Sequence, residues 1–208
     1  MKQSIFKILT NENIADKVYK MTLSGDISDI SATGQFGNIK LDGMFLRRPI
    51  SVYDWDETTV TIIYKVVGEG TEKMSQWTED YECDVLTGLG NGYDLTLSGE
   101  NPVLLGGGVG VPPMYMLCKE LIGEGKEPTV ILGFNKADEV FFEEEFKALG
   151  ARVIVATADG SYGIKGFVTT AMEGVDYSYF YTCGPEPMLK ALYRATATSG
   201  SFSFEERM

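Results

Sequence analysis

The run Val103-Leu104-Leu105-Gly106-Gly107-Gly108-Val109-Gly110-Val111-Pro112-Pro113 leaves the chain little choice of local structure. An apolar triplet suited to a buried strand runs into four glycines in five positions, and two prolines follow where a helix start tolerates them. A strand that turns through glycine into a helix opens an α/β unit, and the rest of the chain keeps the alternation. Strands are expected at Val103–Leu105, Thr129–Phe134, Arg152–Thr157 and Tyr179–Thr182, with helices near Pro113–Ile122, Phe141–Leu149, Val168–Met172 and Glu186–Ala197. Gly150 stands where a helix C′ residue belongs. This order predicts a doubly wound parallel sheet, whose ligands lie at the carboxyl ends of the strands.

The first half of the chain reads differently. Short runs rich in Val, Ile, Thr and Tyr, at Ser4–Leu9, Val18–Leu23, Thr59–Val67 and Asp84–Leu86, are split by Gly-Asp, Asp-Gly and Gly-Asn steps. That texture predicts an antiparallel β-barrel, with one short helix within Thr71–Trp77. The polar turn Leu97-Ser98-Gly99-Glu100-Asn101-Pro102 separates the two textures, which sets the expected domains at 1–98 and 99–208.

Composition excludes several kinds of chemistry. The 208 residues contain no histidine, which removes Ser-His-Asp triads, Cys-His dyads and histidine-ligated metals. Cys83, Cys118 and Cys183 are widely spaced and form no CxxC pair, so neither a disulfide framework nor a zinc site is expected. A net charge of −12 with no Lys/Arg stripe argues against nucleic acid. No stretch approaches the roughly 20 apolar residues of a membrane span, and the start turns polar too soon for a secretory signal, which points to the cytoplasm. The chemistry is expected to belong to a cofactor.

Four segments carry binding chemistry. In the glycine-rich turn, glycines let backbone approach a pyrophosphate and the following helix offers free N–H groups. Val111 stands in the place of the third glycine of a GxGxxG fingerprint, and Gly133-Phe134-Asn135 stands where an acidic residue would end the second strand. The domain therefore reads as nucleotide-binding but not of the dehydrogenase type. The second segment is Arg47-Arg48-Pro49-Ile50-Ser51 with Ile63-Tyr64-Lys65 and Gly68-Glu69-Gly70-Thr71. An arginine fork suits phosphate, a hydroxyl suits a flavin edge, the Tyr64 ring can stack, and the glycine turn before a helix is another anion cradle. Each of these alone also suits an ordinary strand, turn or core residue. Thr182-Cys183-Gly184-Pro185-Glu186-Pro187-Met188 again ends a strand and starts a helix, where a buried cysteine also serves plain packing. Thr157-Ala158-Asp159-Gly160-Ser161-Tyr162-Gly163 is a strand-end loop near the expected nucleotide, or an ordinary Asp-Gly turn.

Taken in order across the whole chain, RRPIS, GEGT, LLGGGVGVPP and CGPEPM resemble the ferredoxin-reductase-like flavoproteins. The phrases FLRRPIS, LGFN, ADGSYGIKG, YTCGPEPMLKAL and EERM sharpen the resemblance to the electron-transfer subunits of NAD-linked two-subunit dihydroorotate dehydrogenase. The resemblance implies that Arg48, Pro49, Ile50, Ser51, Ile63, Tyr64, Lys65, Gly70 and Thr71 hold FAD. It also implies that Gly107, Gly108, Gly110, Cys183 and Gly184 receive NAD(H), with Cys183 near the nicotinamide and no protein group acting as acid or base. The implied partner is an FMN-containing catalytic subunit, in a heterotetramer. In that family the equivalent of Ser203–Met208 leads into a cysteine-rich segment carrying a 2Fe-2S cluster, and this segment is expected to be missing here, leaving no metal site. Related readings are the small subunit of a sulfide dehydrogenase or of an NADH-dependent ferredoxin:NADP oxidoreductase, and a stand-alone NADH-dependent flavin reductase. A scaffold that has lost its cofactors is the reading from another class.

Overall fold

In a computed structural model, which describes residues 1–197, the chain divides into two compact units, Met1–Tyr93 and the part from Asp94 onward. The sequence texture puts the change at 98/99. Residues 94–98 join the second unit because the Tyr181 hydroxyl donates to the Asp94 carbonyl at 2.8 Å and Ser178 Oγ to the Ser98 carbonyl at 2.6 Å. The expectations placed on Phe202, Phe204 and residues 203–208 lie outside the described residues.

The first unit is a closed antiparallel barrel of strands β1 (Lys2–Ala15), β2 (Val18–Ser24), β3 (Phe36–Ile39), β4 (Arg48–Trp55), β5 (Thr59–Lys65) and β6 (Glu82–Leu89), in the order β1-β2-β5-β4-β3-β6. Alternation drives it: Phe6 and Ile8, Met21 and Leu23, Val60, Ile62 and Tyr64, and Cys83 and Val85 all point into one core. Each large apolar side chain taken out of water there contributes about 1.5–3 kcal/mol. Helix α1 (Glu69–Ser75) packs against that core through Met74, which is fully buried. The strand runs expected from sequence omit β3 and β4. β3 is a four-residue FGNI segment too short to flag itself, and the alternating Ile-Ser-Val-Tyr of β4 follows an Arg-Pro opening that reads as a binding motif.

The second unit is a five-stranded parallel sheet of order β10-β9-β8-β7-β11, built from β7 (Pro102–Gly107), β8 (Thr129–Phe134), β9 (Arg152–Thr157), β10 (Ile164–Lys165) and β11 (Tyr179–Cys183). Its helices are α2 (Pro113–Gly123), α3 (Glu143–Ala148), α4 (Val168–Ala171) and α5 (Glu186–Ala197). Val103, Leu105 and Ile131 on one face share a core with Val168 and Ala171 of α4 and Leu192 of α5. The alternate residues Leu104, Val130 and Leu132 are buried on the other face, as are Met114, Leu117 and Leu121 of α2 and Phe146 of α3. Tyr115 of α2 meets Phe146 of α3 edge-on at 5.6 Å. Helices on both faces explain why these strands read as continuous apolar runs. Helix α3 starts two residues later than its sequence signal, because Phe142 stands at φ 66°, a left-handed conformation that cannot continue a helix.

The chain runs outward through β7, β8, β9 and β10, then returns across the sheet to β11 on the other side of β7. The switch point therefore falls between the carboxyl ends of β7 and β11, where Gly106 pairs with Cys183. Among the described residues no helix is long and apolar enough to cross a membrane.

Candidate functional site

On the barrel, the two consecutive arginines take different roles. Arg47 is a structural tie: its Nη2 reaches Asp84 at 2.9 Å and its Nη1 donates to the Asn38 carbonyl at 3.1 Å. Arg48 pairs with no carboxylate among the described residues. Its Nη1 donates to the Leu46 carbonyl at 2.6 Å, and its Nη2 lies 3.3 Å from the Met44 sulfur. The guanidinium lies against Gly70 in the first turn of α1, and a Cβ on Gly70 would run into it. An uncompensated cation and the free N–H groups of a helix start thus share one spot, which is what a diphosphate needs.

Thr71 is buried, and its hydroxyl is used inside the turn. Oγ1 accepts from the Val67 N–H at 2.9 Å and the Gly68 N–H at 3.3 Å and donates to the Gly68 carbonyl at 3.0 Å. It shapes the cradle and leaves the backbone to face a ligand. Ile50 and Val52 belong to the barrel lining, so Pro49 and Ser51 alternate onto the outer face of β4. On β5, Tyr64 belongs to the barrel core, while Lys65 and Ile63 alternate onto the other face, where Ile63 is itself buried.

The stacking role expected of Tyr64 is corrected by this placement. Its ring is 1% exposed and stacks on Tyr19 with centroids 5.6 Å apart, and burial pushes its hydroxyl pKa well above the usual phenol range. Its contribution to the site is indirect. The Tyr64 hydroxyl donates to Asn11 Oδ1 at 3.0 Å, and Asn11 Nδ2 donates to the carbonyls of Met74 and Trp77 at 2.9 and 3.0 Å. Asn11 therefore satisfies the carboxyl end of α1 and fixes where its first turn, with Gly70, sits.

In the α/β unit the structure brings together all five expected residues. Gly108 adopts φ 52°, and nothing lies within 4 Å of the point a Cβ would occupy, so its backbone is open. A Cβ on Gly110 would fall on the carbonyl of Cys183 and within 2.7 Å of the Gly184 nitrogen. The turn after β7 and the end of β11 are thus packed backbone against backbone. Val111 is buried where the fingerprint has its third glycine, and the room is made by Gly106, whose Cβ would come within 2.7 Å of Val111 Cα. Cys183 is half-buried, while Cys83 and Cys118 are buried, with thiol pKa values pushed up to about 12.

The loops after β8 and β9 form the adjoining wall. Ser161 Oγ accepts from the Ala137 N–H at 2.8 Å and donates to Asp159 Oδ1 at 2.6 Å, so one hydroxyl stitches the two loops together. Lys136 is paired with Asp138 at 2.8 Å, and Glu139 accepts from both the N–H and the side-chain amide of Asn135. Sequence reasoning did not assign roles to Asn11, which carries no motif, or to Met188, although Met188 lies inside the CGPEPM phrase.

The oxidoreductase NAD-binding domain family matches residues 104–194. The chain is 45% identical to the "Dihydroorotate dehydrogenase B (NAD(+)), electron transfer subunit" of Bacillus pumilus, over 100% of this chain and 84% of that protein. It is 46% identical to the protein of the same name from Fusobacterium nucleatum, over 95% of this chain and 82% of that one. The solved structure of an NADH-dependent reduced ferredoxin-NADP oxidoreductase superposes with a TM-score of 0.82 at 29% identity, covering 92% of this chain and 72% of that one. The FAD/NAD-binding domain of a Vibrio cholerae nitric oxide dioxygenase shares the fold, with a TM-score of 0.82 at 19% identity over 95% of this chain and 93% of its own.

Proposed function

We infer the function from one premise: the chain belongs to the family of electron transfer subunits of NAD(+)-dependent dihydroorotate dehydrogenase B. It is an NAD-linked flavoprotein oxidoreductase subunit that passes electrons between NAD(H) and a catalytic subunit acting on dihydroorotate, in pyrimidine biosynthesis. The observation that carries this reading is the Arg48 guanidinium, which has no carboxylate partner among the described residues, lying against Gly70, a cradle that any side chain at position 70 would fill.

The residues present fit both cofactors. For FAD, Arg48 and the backbone N–H groups of Gly70 and Thr71 would hold the diphosphate, while the outer faces of β4 and β5, with Pro49, Ser51, Lys65 and the backbone of the buried Ile63, would lie along the flavin and ribityl chain. For NAD(H), Gly107, Gly108 and Gly110 would take the pyrophosphate, and Cys183 and Gly184 the nicotinamide end. Bound flavin supplies the step between a two-electron hydride carrier and one-electron acceptors. The protein's share is binding, orientation and exclusion of water, which is why a chain without histidine can serve.

The partner is an FMN-containing catalytic subunit, and the reaction belongs in the cytoplasm with its nucleotide. Among the described residues no group of three or more His, Cys, Asp or Glu side chains is placed to hold a metal. A 2Fe-2S relay toward the partner would therefore draw its thiolates from outside Cys83, Cys118 and Cys183. The 45% identity to the dihydroorotate dehydrogenase subunit, against 29% to the ferredoxin-NADP oxidoreductase, favours this partner over the related complex.

Anaerobic titration of the purified protein with NADH tests the reading. A bound flavin released as FAD and bleached by NADH is the expected result, with little recolouring by the catalytic subunit and orotate where the cluster relay is missing. A colourless protein that FAD does not reconstitute would overturn it.

A further inference from the structure

The crevice at the switch point has two walls, the glycine turn after β7 and the Cys183–Gly184 end of β11, and one side chain touches both. Met188 sits in the first turn of α5, where its N–H donates to the Pro185 carbonyl at 2.8 Å, and its side chain packs against the core under β7 and β11. A Cβ on Gly107 would come within 2.5 Å of the Met188 sulfur. A Cβ on Gly184 would come within 2.5 Å of the Met188 methyl and 3.0 Å of its sulfur. The thioether therefore packs against two glycines at once, Gly107 at the end of β7 and Gly184 just after β11. We propose that Met188 is a positioning residue that buttresses both crevice walls from one side and so tunes affinity for the nicotinamide nucleotide.

The physical basis is the absence of side chains on the walls themselves. Gly107 and Gly184 follow the paired Gly106 and Cys183 at the ends of neighbouring strands, the Met188 thioether packs beside both, and Gly110 already stands against the Cys183 carbonyl with no slack. Removing the thioether leaves a void beside both glycines into which either turn can shift, and a site lined by backbone N–H groups loses its donor geometry with a displacement of a fraction of an ångström. An unbranched thioether suits the gap because it is polarisable and adapts its torsions to two contacts at once. Leucine keeps most of its volume, whereas alanine does not.

This inference rests on the assignment of the crevice to NAD(H). The test is rapid anaerobic mixing of the FAD-loaded protein with NADH, for wild type, M188A, M188V and M188L. M188A is expected to raise the NADH Kd about tenfold to a hundredfold, with the flavin reduction rate at saturating NADH and the FAD content little changed. M188L is expected to recover affinity to within about threefold of wild type. M188V stands in if M188A does not fold, with the same direction of effect. An unchanged Kd in the shortened variants, or an M188L defect as large as that of M188A, would overturn the role of Met188. A wild-type flavin that NADH does not reduce would instead overturn the crevice assignment.

Discussion

On the function proposed above, the barrel would meet its anion with a side chain, and the α/β unit would meet its own with bare backbone. Arg48 reaches the first turn of α1 from β4, across more than twenty residues of sequence, and is held there by the Leu46 carbonyl. The nucleotide crevice instead uses Gly107, Gly108 and Gly110 within one turn, packed on the Cys183–Gly184 backbone. A charge on a long side chain tolerates small shifts of its support, because a Coulomb attraction falls off slowly with distance. A backbone cradle does not, since each N–H points one way and nothing can swing to follow the ligand. The two sites should therefore fail differently: the barrel site by losing charge, the crevice by gaining volume.

The largest effect should come from G110A. A methyl group there falls on the Cys183 carbonyl, and relief requires moving β11 or the glycine turn. Overpacking of this kind costs about 3 kcal/mol, or roughly a hundredfold in NADH affinity. FAD retention should be unaffected, because the barrel core contains none of the displaced atoms. Flavin bleaching by NADH and flavin release on heating measure the two sides separately. Loss of FAD from G110A with NADH affinity intact would invert the comparison.

Next is the arginine pair. R48A removes a charge-assisted contact worth about 1.5–3 kcal/mol, or about tenfold to a hundredfold in FAD affinity. R47A should leave FAD affinity nearly unchanged and lower the melting temperature instead. Its loss strips a partly buried partner from Asp84 and a donor from the Asn38 carbonyl. Equilibrium FAD binding to the apoprotein, with thermal melts of both variants, separates the roles. Equal losses of FAD affinity would show that position 48 has no special claim on the diphosphate.

The same contrast explains what the sequence made legible. The crevice could be read because a backbone cradle must be written in glycine, and glycine is visible at every position it occupies. The barrel site was legible only in part. Arg47 and Arg48 look alike in sequence, and only Asp84, far along the chain, tells them apart. Tyr64 reads as a stacking ring because an aromatic in an alternating strand has two possible faces. Its inward face was fixed by Tyr19 and Asn11, partners in other strands. The strand β3 escaped for a related reason: its pairing with neighbours, rather than its own propensity, makes FGNI a strand.

A smaller effect tests the edge of the crevice. A 2′-phosphate needs a cation to receive it, yet Lys136 is already paired with Asp138, and Glu139 presents a carboxylate held by Asn135. NADH should be favoured over NADPH by about tenfold or more in flavin reduction, since an arginine fork is absent from this loop. The double change Asp138→Asn and Glu139→Arg should narrow the ratio by freeing one cation and adding another. Faster reduction of the wild type by NADPH at lower concentration would show that the loop does not select the nucleotide.

The smallest expected effect is also the most local, and it concerns thiols. Burial pushes the Cys118 thiol up to about 12, and burial together with the nearby Asp84 carboxylate does the same for Cys83. The thiolate is the reactive form, so at about pH 8 only about one in ten thousand of either group is available to an alkylating reagent. Cys183 is half-buried at the crevice wall, with its backbone against Gly110. Iodoacetamide should therefore label Cys183 first, and NAD(H) should slow that labelling severalfold while added FAD does not. Peptide mass spectrometry of the labelled protein, with and without each nucleotide, reads the order and the protection. Equal protection by FAD would mean that the thiol reports on the barrel site as well, and labelling of Cys83 ahead of Cys183 would mean that the barrel opens more readily than the crevice admits a reagent.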